Sequence, residues 1–430
     1  MESVRPAYGQ SSLGSTGAFR KCFMNIPLAA SPVTTLPDGL LTLGELLASL
    51  VVIYVASKIG GELALRLKQP VVLGELIAGL IVGVSGLDLV NPEQPVLVLL
   101  AQVGVTLLLF EVGLESDLRS LFKVGPQALA VALVGMLLPF GLGYGVIKFA
   151  GVTNLVSVFV GAAMTATSIG ISAKVLTDLG YLQRTEGKII LGAAVIDDIL
   201  GVVLLSVVSG IAGGATLEPL GVLRIVGTSI GFLVGAIVIG NLAAPFFLRL
   251  VRALRTRGDL LTASLVFAFT LAFIAEQLGS AAIIGAFVAG LVLAETDRRH
   301  DLEVQLRPVT DFFLPIFFIT VGAGVNLALL RNQQALFLAT ALTLTAVLGK
   351  LVCGYAAFGT QANKLAIGAG MVPRGEVGLV FASVGLDTGV LSGSNYTAVT
   401  IMVILTTFLG PMLLSLVLKS RKPKKAGGKT

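Results

Sequence analysis

Unbroken hydrophobic stretches of about 20 residues recur from Leu40 to Leu418, each long enough as a helix to cross an apolar layer of about 30 Å. Nothing else in the chain constrains its fold as much. Lipid offers no partner for backbone N–H and C=O groups, so a spanning segment must close its hydrogen bonds within a helix or within a closed barrel. A barrel needs alternating strands of about ten residues, and these runs do not alternate. The expected fold is an all-α polytopic membrane protein with about 13 transmembrane helices. The spans fall at residues 41–66, 71–86, 95–115, 124–150, 155–180, 187–213, 219–250, 260–278, 280–296, 308–330, 334–358, 363–387 and 395–418. Charged residues make up 13% of the 430 and mean hydropathy is +0.95, which excludes an ordinary soluble protein.

Outside the spans, residues 1–39 are rich in Ser, Gly and Pro and read as a flexible polar tail, with a transit peptide as the alternative. Residues 419–430 form a basic tail. The two cysteines, Cys22 in the first tail and Cys353 within a span, cannot build a disulfide framework or a thiolate metal site. The single His300 sits in a charged loop and reads as a surface residue. A net charge of +6 does not imply a nucleic-acid partner, because the charges sit in loops and mark topology. No cofactor is expected.

On alternate sides of the spans, Lys and Arg number 20 against six, and the richer side includes the C-terminal tail. By the positive-inside rule the C-terminus is cytoplasmic and the N-terminus outside, with the cell membrane as the expected location. An internal repeat also emerges. Ala78-Gly79-Leu80 in the second span recurs as Ala289-Gly290-Leu291 in the ninth, a shift of 211 residues. Val112-Gly113 with Leu118 recurs as Val321-Gly322 with Leu327, and Gly161-Ala162-Ala163-Met164 as Gly368-Ala369-Gly370-Met371, at shifts of 209 and 207. Each match pairs a span with the one seven later. Seven is odd, so the halves, spans 1–6 and 8–13 joined by span 7, would be inverted repeats, as in secondary transporters that work by alternating access.

Just after the third match, both copies depart from helical grammar. The fifth span continues Thr165-Ala166-Thr167-Ser168-Ile169-Gly170, and the twelfth Val372-Pro373-Arg374-Gly375-Glu376-Val377. Hydroxyls beside glycine, and Pro-Arg-Gly-Glu, suit an interruption at which freed carbonyls and half-helix ends replace an ion's water. The competing explanation is close helix packing through small residues. The sixth span carries Asp197 and Asp198 near its middle, where a carboxylate is costly unless protonated, paired or solvated. Adjacent helical residues point about 100° apart, so each can address a different partner. Such a carboxylate can hold either a proton or a hard cation, and oxygen donors suit Na+ or Li+. Lys350 in the eleventh span lies too far from either end to snorkel, so it is expected to pair with an aspartate of the sixth. Arg374 and Glu376 are expected to satisfy each other or neighbouring helices. Glu75, Glu111 and Asp311 are weaker candidates, for a cytoplasmic funnel or an interface between domains.

The Asp-Asp pair, the TATSIGIS stretch, GKLVCG and MVPRGEVGL together resemble the second branch of the monovalent cation:proton antiporter superfamily, which holds bacterial Na+/H+ antiporters and Kef-type K+ efflux proteins. The resemblance covers about residues 41–418. It implies a homodimer whose scaffold is formed by residues 41–115 and 260–330, a linker helix at 219–250, and a core at 124–213 and 334–418. The discontinuous helices 5 and 12 would cross in that core. It also implies that Asp198 is the chief carrier of Na+ and H+ and that Asp197 pairs with Lys350, with Thr165, Thr167 and Ser168 beside them. Arg374 and Glu376 support this core. The Asp-Asp form is similar to electrogenic members, which exchange two protons per Na+. Partners are thus Na+, Li+ or K+, H+ and membrane lipids. The alternatives are K+/H+ exchange of the Kef type and an organic-solute carrier. An intramembrane aspartyl protease needs two facing aspartates from different helices, whereas Asp197 and Asp198 are neighbours on one.

Overall fold

The computed structural model of the protein describes residues 42–212, 227–228, 231–240, 242, 259–278, 280–331 and 333–420. Most of the seventh span and nearly all of both tails lie outside the described residues. The elements are α1 (Leu43–Arg66), α2 (Val71–Val82), α3 (Pro95–Glu115), α4 (Leu118–Lys123), α5 (Gly125–Phe149), α6 (Asn154–Ala163), α7 (Ile169–Asp178) and α8 (Thr185–Ala212). They continue as α9 (Gly231–Gly240), α10 (Asp259–Gln277), α11 (Ala282–Ala294), α12 (Arg299–Ala323), α13 (Gln333–Cys353), α14 (Lys364–Gly370), α15 (Glu376–Asp387) and α16 (Gly393–Ser420). Among the described residues there is no strand, and eight helices are long and apolar enough to cross a membrane. Five shorter apolar helices accompany them among the described residues, two of which, Asn154–Ala163 and Val377–Asp387, belong to the interrupted spans.

Local chemistry sets several boundaries. Thr42 and Glu45 form a reciprocal capping box that starts α1, and Pro95 opens α3 where its missing N–H costs nothing. One boundary differs from the sequence expectation: α12 begins at Arg299, well before residue 308. Its first turns are held by Arg298 with Asp301 and Arg299 with Glu303, so the helix extends past the apolar stretch that hydrophobicity alone detects. The short α4 was also absent from the expected spans. Its cap, Asp117, accepts from the Arg119 amide.

Helices α1–α3 pack with α10–α12, and α5–α8 pack with α13–α16. The groups meet where α2 and α3 touch α7 and α16. In the first group, glycines allow backbone to rest on backbone. A Cβ on Gly79 would lie 2.4 Å from the Ile319 carbonyl oxygen, and one on Gly322 2.2 Å from that of Leu76. Likewise, a Cβ on Gly113 would meet the Phe287 oxygen at 2.2 Å, and one on Gly290 the Phe110 oxygen at 2.2 Å. These are the glycines of the sequence repeat: Gly79 corresponds to Gly290 and Gly113 to Gly322. The α2–α12 contact is thus the counterpart of the α11–α3 contact. On α1, by contrast, Leu47, Val51, Val55, Ile59 and Leu63 form an exposed row at four-residue spacing, as a face turned to lipid would.

Candidate functional site

The fifth span is interrupted between α6 and α7 and the twelfth between α14 and α15, and the two breaks lie against each other. Pro373 has no N–H to continue a helix, and Gly375 leaves the helical region at φ −150° and ψ −146°. The Ser168 amide donates to the Pro373 carbonyl at 2.8 Å, and the Thr167 hydroxyl to the Met371 carbonyl at 3.3 Å. Ser172 donates to the Gly370 carbonyl at 2.6 Å. Thr165 instead turns back to the Ala162 carbonyl at 2.8 Å, satisfying one acceptor at the end of α6. The carbonyl ends of α6 and α14 and the amide ends of α7 and α15 thereby converge, bringing partial charges of both signs into the interior.

Charged side chains complete this crossing. Asp197 and Asp198, on α8, are 2% and 8% exposed, while Lys350 and Arg374 are fully buried. Lys350 Nζ lies 3.3 Å from Asp197 Oδ2 and donates to the Thr167 hydroxyl at 2.8 Å. One ammonium therefore ties α13 to α8 and to the α6/α7 break. Arg374 donates through Nη1 to the Ala166 carbonyl at 2.8 Å. Arg374 thus finds a backbone oxygen of the opposite break, while the side chain of Glu376 lies outside the described residues.

The crossing gathers Asp197, Lys350, Thr165, Thr167, Ser168 and Arg374 as the sequence suggests, with Asp198 next to Asp197 on α8. It does not gather the three weaker candidates. Glu75, on α2, accepts from Ser57 at 2.7 Å. Glu111 and Asp311 line a separate cavity of about 200 Å3 with Lys174, Asp178 and Arg307. Two contributors are not singled out by the sequence patterns, although Ser172 lies within the TATSIGIS stretch. Thr407 on α16 donates to the Arg374 carbonyl at 2.6 Å, and Ser172 fastens the breaks as described. The signal for the first was a Thr406-Thr407 pair in an apolar span, which also reads as helix back-bonding.

Two interrupted helices joined at their breaks, with a buried Asp–Lys pair beside them, define a secondary-transporter core. The chain belongs to the sodium/hydrogen exchanger family, whose transmembrane region matches residues 47–420. It is 44% identical to the high-affinity Na+/H+ antiporter NhaS3 of Synechocystis sp., over 93% of this chain and 96% of that one. It is 38% identical to the Na+/H+-K+ antiporter GerN of Bacillus cereus, over 86% and 95% of the two chains. The fold is that of the sodium proton antiporter MjNhaP1 from Methanocaldococcus jannaschii, with a TM-score of 0.62 at 20% identity, covering 87% of this chain and 99% of that one.

Proposed function

We propose that this protein exchanges Na+, and Li+ in its place, for protons by alternating access, and is not an enzyme. The observation that carries this reading is the buried Asp197–Asp198 pair at the crossing of two interrupted helices, with Lys350 3.3 Å from Asp197. Asp198 is the site that holds either the cation or a proton, and hydroxyls and freed carbonyls of the breaks supply further oxygen donors. When a cation enters, Asp197 turns from Lys350 to the ion. An ammonium left alone in an apolar interior sheds its proton, so Lys350 contributes the second proton of an electrogenic cycle with two protons per Na+.

Helices α5–α8 and α13–α16 form the moving core, carrying the ion past a scaffold of α1–α3 and α10–α12 through which two copies pair. The N-terminus is outside and the C-terminus cytoplasmic, in the cell membrane. GerN is named for K+ as well as Na+, so K+ belongs in the same test. Proton movement is followed in proteoliposomes of the purified chain as Na+, Li+ and K+ are added in turn, beside Asp198→Asn. Cation-dependent proton release that vanishes in the variant supports the exchange and names its ion. No response to any of the three, in folded protein, moves the assignment to an organic-solute carrier.

A further inference from the structure

One charge cluster has no part in the ion site. It lies where α7 faces α2, α3 and α12, the boundary between the two groups of helices. On α7, Lys174 and Asp178 form an ion pair of 3.1 Å whose side chains are 19% and 18% exposed. Helix stabilisation does not account for it, since a lysine four residues before an acid is the less favourable order along a helix. The pair instead lines the cavity of about 200 Å3 opposite Glu111, Arg307 and Asp311.

Lys174 is the α7 cation facing this boundary, and the facing helices offer it acids at several heights. It shares the cavity with Glu111 on α3 and Asp311 on α12, and Arg307 joins Glu115 to them. Glu111 and Glu115 are four residues apart, so their carboxylates are separated by about 6 Å along α3. Arg307 lies across both, at 3.8 Å and 3.7 Å. A core displaced along α3 by one turn would bring Lys174 from one acid to the next. The boundary would keep its charge balance, so the displacement would cost little desolvation.

We propose that Lys174 is a positioning residue for the transport step. It runs along the scaffold carboxylates Glu111 and Glu115 as the core moves, and so lowers the barrier between the two faces. The proposal rests on the exchange and core movement proposed above. Lys174 does not touch the ion, so its loss slows the movement and leaves cation binding alone.

Lys174→Gln and Lys174→Arg are compared with the parent chain in proteoliposomes over a range of Na+ concentrations. The expected result is a maximal rate about tenfold lower for the glutamine variant, with KM within twofold, and a rate within twofold of the parent for arginine. A maximal rate equal to the parent's, or a loss carried by KM, overturns the proposal. Should Lys174→Gln fail to fold, Glu111→Gln decides in its place, with a threefold or greater loss of maximal rate expected and an unchanged rate overturning it.

A second readout does not depend on transport. Thr177→Cys and Thr310→Cys, which line the same cavity, are bridged by a short bifunctional thiol reagent. Bridging at least fivefold slower in the Lys174→Gln background supports the proposal, and equal rates overturn it. A parent chain that moves no protons but shows this difference would separate failure of the exchange reading from failure of this one.

Discussion

Replacing Lys350 by methionine keeps most of the side chain's length and removes its charge from a fully buried site. At 3.3 Å from Asp197 Oδ2, and with an effective dielectric constant of about 20, the lost attraction amounts to about 5 kcal/mol. Loss of the bond to the Thr167 hydroxyl adds about 1.5–3 kcal/mol. The desolvation no longer imposed on the ammonium offsets part of both, and breaking a buried pair from one side costs about 3–5 kcal/mol while the other charge persists. Asp197 avoids that cost by carrying a proton of its own, which it keeps throughout the cycle, and it meets the ion only through its neutral carbonyl oxygen, so the protein folds and Asp198 alone exchanges. What disappears is the proton contributed by Lys350, so the cycle falls from two protons per Na+ to one and becomes electroneutral. The assay is Na+-driven proton flux in proteoliposomes whose membrane potential is clamped with K+ and valinomycin. With no pH gradient imposed, the parent's flux should reverse at a potential set by the Na+ gradient, and the variant's should be independent of potential. A folded variant that keeps the parent's dependence on potential refutes this role, as does loss of folding with no transport change in the surviving protein.

Gly113→Val places a side chain against the Phe287 carbonyl, where even a Cβ lies at 2.2 Å, so it should destabilise the protein by about 1–3 kcal/mol. Thermal unfolding in detergent measures this, and Gly290→Val at the counterpart contact should match it in sign. Thr407→Val removes the 2.6 Å bond to the Arg374 carbonyl, with an expected cost of about 1 kcal/mol and a lowered transport rate. A variant with parental rate would show that the α14/α15 break needs no support from α16. Arg298→Ala, which breaks a pair whose side chains are 38% and 51% exposed, should change stability by less than about 0.5 kcal/mol. It serves as the control in the same unfolding series.

Much of this architecture is written in local sequence. Apolar runs announce helices because lipid demands internal hydrogen bonding, and Pro373 and Gly375 announce a break because one lacks an N–H and the other is a poor helix former. Asp197, Asp198 and Lys350 stand out because charges in an apolar span need a partner, whatever it turns out to be. The repeated glycines also marked themselves at nearly equal offsets, though not as contacts. Sequence did not reveal that Gly113 rests on α11 and Gly79 on α12.

Tertiary structure alone decided the backbone acceptors. Arg374 takes the Ala166 carbonyl, 208 residues away in sequence, and Thr407 closes on the carbonyl of Arg374. Lys350 reaches Asp197, the partner already expected, across 153 residues and adds Thr167 across 183. The physical reason is the difference between need and supply. A residue's type and its local spacing state what it must find once buried, such as a counter-charge, an acceptor or room for a backbone. Which distant atom provides it depends on how helices pack, and no periodicity within a single helix encodes that.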